Sequence, residues 1–150
     1  MAKRPIPSRS LPSAEDQAAR FARQREGDRM AVAEDYVELV ADLLREEGEA
    51  RSVDIARRMG VAQATVNATV TRLQRDGLVA TKPYRGIFLT EAGQAMAEAA
   101  RERHELVVRF LLALGLDRVT AEQDAEGVEH HVSEATLEAF ARFLATKERS

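Results

Sequence analysis

A chain of 150 residues with 45% apolar and 31% charged side chains can bury one core of ordinary size or two small ones, and it offers no apolar run long enough to span a membrane. Cysteine is absent, which excludes disulfides, thiolate metal sites and cysteine nucleophiles; no apolar segment follows the first basic residues, so no secretory signal is visible and a cytoplasmic protein is expected. The net charge of −3 is unevenly spread: residues 1–50 carry 8 basic and 11 acidic side chains, 51–90 carry 7 and 2, and 91–150 carry 7 and 12, so only the middle block suits a polyanion.

Residues 1–32 read as an extension, partly disordered. Pro5, Pro7 and Pro12 with Ser8 and Ser10 mark an arm over 1–12. Residues 13–32 form a marginal helix with a thin apolar stripe, which Ser13 can cap. A firm helix is predicted over 33–47, where Tyr36, Val40, Leu43 and Leu44 share a face and Gly48 stops the run. A short helix, Ser52 to Met59, follows, with Ser52 as its cap and Val53, Ala56 and Met59 inward. Gly60 makes a turn into a helix over 63–75, which buries Val66, Val70 and Leu73 and lacks a polar cap at Ala62. Two strands, Leu78–Thr81 and Ile87–Thr90, flank the loop Lys82-Pro83-Tyr84-Arg85-Gly86. A helix-turn-helix followed by a basic-tipped hairpin is a winged helix, so residues 33–90 read as a winged helix-turn-helix DNA-binding domain. Residues 91–150 read as all-α: a helix capped by Thr90 and closed by Gly115, one over about 120–131, and a last one capped by Ser133. The fold class is therefore mainly α.

A recognition helix needs small or amide side chains toward base edges and cations toward phosphates. The outer face of 63–75 presents Gln63, Ala64, Asn67 and Ala68 near its start, then Thr71, Arg72 and Arg75. Gln and Asn can pair with adenine, and Ala can lie against thymine methyls. Thr65, Arg72 and Arg85 are the phosphate candidates. One small module reads few base pairs, so a homodimer on a palindromic double-stranded operator is expected, joined through the apolar helices after residue 91.

A second pattern carries different chemistry. Asp35 and Glu38 stand at i, i+3 on one helix, and Glu126 and Glu129 repeat that spacing, with His130 beside them. His104 lies between the two pairs in sequence, inside an amphipathic run. If the fold unites the three segments, four carboxylates and two imidazoles converge. They would repel without protons or cations, and such a donor set suits hard to borderline divalent ions such as Mn²⁺ or Fe²⁺. His131 points elsewhere and reads as structural or as a support to the ligands.

The order "DYVE", winged helix, "RHEL", "DAEGVEHHVS" resembles the manganese transport regulators of the diphtheria-toxin-repressor family over about residues 33–146. The resemblance implies a metal-dependent winged-helix dimer whose DNA affinity rises on metal binding. It implies Asp35, Glu38, His104, Glu126, Glu129 and His130 as ligands of a two-ion Mn²⁺ site, some carboxylates bridging. Iron-responsive relatives place Met where Asp35 stands and Cys where Glu126 stands, so the resemblance favours manganese. An SH3-like domain found in longer relatives is not expected. The expected function is manganese-dependent repression of manganese uptake genes, without enzymatic activity. The same scaffold sensing Fe²⁺ or Zn²⁺, a metallohydrolase, and a metal-independent winged-helix repressor are the alternatives.

Overall fold

The computed structural model describes residues 10–150; most of the expected N-terminal arm lies outside them. Six helices and one two-stranded antiparallel sheet are present among the described residues, a mainly α fold with a wing. The first helix, α1, runs unbroken from Ala14 to Glu47. The marginal segment and the firm helix are thus one element, capped where Ser13 accepts from the Asp16 N–H and ended by Gly48 in the left-handed region. The reason is cooperative. Residues 33–47 are held by core packing, so extending the helix backwards through proline-free, Ala-rich sequence needs no new nucleus. Residues 14–32 stay exposed or half-buried, as the thin stripe requires.

Helices α2 (Ser52–Met59) and α3 (Gln63–Arg75) form the helix-turn-helix around Gly60. Ser52 is the first helical residue and not the cap, a position taken by Arg51. Val53, expected inward, is 57% exposed, and Ile55 is buried in its stead. Strands β1 (Val79–Lys82) and β2 (Gly86–Leu89) pair with Val79 opposite Leu89 and Lys82 opposite Gly86, a shift of one residue from the expected bounds. Gly86 has φ 87°, and a Cβ there would lie 2.5 Å from the Ala50 carbonyl oxygen. The neighbouring Ile87 N–H donates to that same oxygen at 2.8 Å, stitching the wing to the loop after α1.

Helix α4 (Glu91–Ala113) starts at its Thr90 cap and reaches into the C-terminal half. There α5 (Arg118–Val128) and α6 (Glu134–Glu148) pack on it, capped by Asp117 and Ser133. Helix α5 ends three residues sooner than expected, but Glu129 keeps helical angles (φ −58°, ψ −30°), so Glu126 and Glu129 still share a face.

Two apolar cores result. Val37, Val40, Ile55, Val66, Leu73 and Ile87 build the first, and Val107, Val108, Ala121, Ala125 and Leu137 the second. Truncating a fully buried side chain such as Leu73 to Ala would cost about 2–5 kcal/mol. Phe110 stacks on Phe140 with ring centroids 3.8 Å apart and closes the second core. Helix α4 contributes Ala97 to one core and Val107 to the other, and α1 packs along it. The seam between α1, α4 and the end of α5 is where the polar residues collect.

Candidate metal centre and nucleic-acid interface

The three segments that carry the acid and histidine pairs meet at this seam. Helix α1 supplies Asp35 and Glu38, α4 supplies His104, and α5 with the turn after it supplies Glu126, Glu129 and His130. His104 Nδ1 lies 2.6 Å from Glu129 Oε2 and 3.8 Å from Glu126 Oε1. His104, Glu126 and Glu129 each offer one donor atom, all within 4.8 Å of one another. His130 Nε2 lies 3.2 Å from Asp35 Oδ1 and 3.3 Å from Glu129 Oε1. Glu129 is the floor of the cluster, 2% exposed, whereas Glu126 sits at the rim.

The electrostatics are those of crowded acids. Burial pushes the Glu38 carboxyl up to about 7, and the charges of Glu129, Asp35 and Glu126 add to it. Burial also raises Glu129, against the opposing pull of His104 and His130. The neighbouring carboxylates of Asp35 and Glu34 drive His130 up to about 10 despite its burial. Burial works against the proton on His104, yet Glu122 and Glu129 keep its pKa raised. The free cluster therefore balances itself with protons. A divalent cation is the other way to balance it.

The donor set fits such an ion. It is oxygen-rich with two imidazoles and no thiolate, the preference of hard to borderline divalent metals. His130 Nε2 is buried and has no hydrogen-bond partner, since its two carboxylate neighbours lie off the ring N–H direction. An orphaned ring nitrogen facing carboxylates is a ligand atom in waiting.

Sequence reading missed three participants. Glu34, 6% exposed, accepts from Arg103 and from His130 Nδ1, the latter at 2.9 Å. Burial alone would raise Glu34, but the hydrogen bond from His130 and the charge of Arg103 outweigh it and hold the carboxyl below its usual range. Glu122 lies 2.9 Å from His104 Nε2 through Oε2 and accepts from Arg118 at 3.1 Å. A signal for both acids existed: Glu34 stands four residues before Glu38, and Glu122 four before Glu126, each on the same helix face as its partner. His131 stands apart from the cluster, 3.3 Å from Asp28, where a Cβ on Gly27 would come within 2.7 Å of its ring.

A second, cationic surface comes from the middle block of the chain. Gln63, Ala64, Thr65, Asn67, Ala68, Thr71 and Arg72 all lie exposed on α3. No side chain caps the start of α3, so the outward N–H groups of its first turn add to an anion-favouring surface. Thr71 Oγ1 donates back to the Asn67 carbonyl at 2.9 Å, which occupies its hydroxyl proton. Arg85 is exposed in the wing loop beside Tyr84, which adopts φ 63° and is 98% exposed.

Comparison with known proteins agrees with both faces. Residues 28–87 match the family described as iron dependent repressor, N-terminal DNA binding domain. Residues 90–150 match the iron dependent repressor, metal binding and dimerisation domain. The transcriptional regulator MntR of Escherichia coli O157:H7 is 50% identical over 133 residues, 89% of this chain and 86% of that protein. The HTH-type transcriptional regulator MntR of Bacillus subtilis (strain 168) is 38% identical over 100 residues, 67% of this chain and 70% of that one. Among solved structures, the manganese regulator SloR superposes with TM-score 0.67 at 29% identity, over 75% of this chain and 53% of SloR. A manganese-dependent transcriptional repressor in complex with manganese gives TM-score 0.65 at 28% identity, over 75% and 52%. The chain thus spans about half the length of these solved regulators. With a winged helix, a carboxylate–histidine cluster and these matches along its length, the chain belongs to the iron-dependent repressor family of DNA-binding transcriptional regulators, and to its MntR type.

Proposed function

We propose that this protein is a manganese-responsive repressor of manganese uptake genes, acting in the cytoplasm as a homodimer on a palindromic operator. The observation that carries the reading is the meeting of Asp35, Glu38, His104, Glu126, Glu129 and His130 at the seam between the two cores. These six residues are the proposed ligands of a pair of Mn²⁺ ions per subunit. The bound ions would supply the positive charge that the carboxylates lack. Residues 33–90 then serve as the DNA reader and residues 91–150 as the metal-binding and dimerisation unit.

The coupling follows from where α1 lies. Its C-terminal half sits in the core of the DNA reader through Val37, Val40 and Leu43, and the same turns carry Asp35 and Glu38. While the acids are unbalanced, Asp35 and Glu38 repel Glu126 and Glu129, and α1 is loosely held to α5. Balancing that charge removes the repulsion, and carboxylates of both helices would hold the ions in common, which ties α1 to α5. The spread of recognition-helix separations in the dimer narrows toward the roughly 34 Å of one helical turn of DNA. This is population shift, so DNA must tighten metal binding by the same factor that metal tightens DNA binding.

On the DNA side, Gln63, Ala64, Asn67, Ala68 and Thr71 would face base edges, and Thr65, Arg72 and Arg85 the phosphates. The test is a titration of operator DNA at fixed salt with Mn²⁺, Fe²⁺, Co²⁺ and Zn²⁺ in turn. Mn²⁺ should raise affinity as far as any other ion. Operator binding that ignores every divalent metal would reduce the protein to a metal-independent winged-helix repressor.

A further inference from the structure

Glu34 lies outside the six proposed ligands, yet it is the more deeply buried of the two acids at the head of the DYVE turn, and it touches the cluster. It stands on α1, its carboxylate is held by Arg103 of α4, and it accepts from His130 of the α5–α6 turn. One oxygen, Oε2, serves both partners. That oxygen is committed, and it faces Nδ1 of His130, the nitrogen on the ring's far side from Asp35 and Glu129.

Imidazole can donate from one nitrogen and ligate from the other, and the hydrogen bond made by the first decides which is which. Here Nδ1 has the Glu34 carboxyl oxygen at 2.9 Å, while Nε2 has no hydrogen-bond partner and faces Asp35 and Glu129. We propose that Glu34, clamped by Arg103, is a positioning residue that holds the proton on His130 Nδ1 and so presents Nε2 as the metal-ligating atom. Arg103 matters because it donates to the same carboxylate oxygen and so fixes where Glu34 meets the ring. The three residues come from three elements, so the clamp also presets the ring plane before any ion arrives.

This inference rests on His130 being a ligand, and the experiment separates the two claims. The probe is ¹¹³Cd²⁺, a diamagnetic stand-in for Mn²⁺, bound to full-length protein with ¹⁵N-labelled histidine. Cadmium and Mn²⁺ affinities are measured by titration on the same samples, and folding is followed by thermal melting. Wild type should show ¹¹³Cd coupling to His130 Nε2 and a protected proton on Nδ1. Glu34→Ala should lose that protected proton and weaken metal binding by about 10–100-fold. Glu34→Gln keeps the shape and one acceptor oxygen, so it should retain Nε2 coordination and lose less affinity than Glu34→Ala; it also carries the test if the alanine variant fails to fold. Absence of coupling to Nε2 in wild type would overturn the ligand reading and this proposal together. Coupling in wild type, with unchanged coupling, proton protection and affinity in both variants, would overturn this proposal alone. So would weaker binding with the Nδ1 proton still protected, which is the signature of a merely structural role.

Discussion

The DNA-reading surface and the metal cluster are built on opposite terms. The first is one contiguous stretch, residues 63–85, whose working side chains stand exposed and nearly independent of one another. The second is drawn from three segments spread over almost a hundred residues of chain, and its groups, all but the rim residue Glu126, are buried or half-buried and mutually coupled. Changes on the surface should therefore be local, additive and sensitive to salt. Changes in the cluster should propagate and combine non-additively. Four expected outcomes put that contrast to the test.

The largest belongs to Glu129, which touches both histidines and is 2% exposed. Glu129→Ala should weaken Mn²⁺ binding by more than the roughly 100-fold upper range seen for residues that only support a ligand. Combined with His104→Ala it should cost little more, because the two act as one unit. Calorimetric Mn²⁺ titration checks both, and strictly additive losses would place the residues in separate sites.

Asp35 comes next. It is half-buried and removes no packing when truncated, so Asp35→Ala should keep fold and dimer while losing about tenfold of the Mn²⁺-stimulated operator affinity. The measurement is operator affinity with and without saturating Mn²⁺, for wild type and variant. An undiminished Mn²⁺ effect would deny α1 its part in transmission.

On the DNA-reading surface, Arg85→Ala should weaken binding to all sequences alike and lower the salt slope by about 1. Gln63→Ala should instead relax preference at particular base pairs. Anisotropy titrations over a salt series, on operator and scrambled DNA, tell the two behaviours apart. Neither variant should alter Mn²⁺ affinity in the absence of DNA.

The smallest effect is on stability against pH in the metal-free protein. Glu38 rises from 4.5 to about 7 on folding, so its stabilising share is full below about 4.5 and is lost as pH climbs through about 7. His130 rises from 6.5 to about 10, so its share is full below 6.5 and fades toward about 10. Melting temperature should accordingly fall in two steps between mildly acid and alkaline pH. Glu38→Gln should flatten the lower step only. Mn²⁺ must displace the same protons, so its apparent affinity should climb over this range. A flat melting profile in EDTA would remove the crowding argument.

Much of this was legible along the chain. Glycines at 48, 60, 77 and 115 fall in the left-handed region where helices end or turns are made, and Ser13, Thr90 and Ser133 cap as their positions suggest. These signals are local, set by backbone sterics and by hydrogen bonds a few residues apart. The misses have equally physical causes. Spacing points Val53 inward, but in an eight-residue helix a small rotation exchanges it for Ile55. The break expected near residue 33 does not exist, because helix propagation is cheap once the core holds one end.

The order of elements, the cationic middle block and the two carboxylate pairs can be read along the chain, since each depends on neighbours within a turn or two. What stands around those pairs depends on how the helices pack. Glu34 and Arg103 are unremarkable charges in the chain; they become a clamp on His130 because α1 and α4 pack side by side and exclude water between them. Glu122 likewise gains its role only when α5 folds back on His104. Burial strengthens each of these charges' interactions and penalises any left unpaired, and burial is a property of the packed elements that spacing along a chain does not carry.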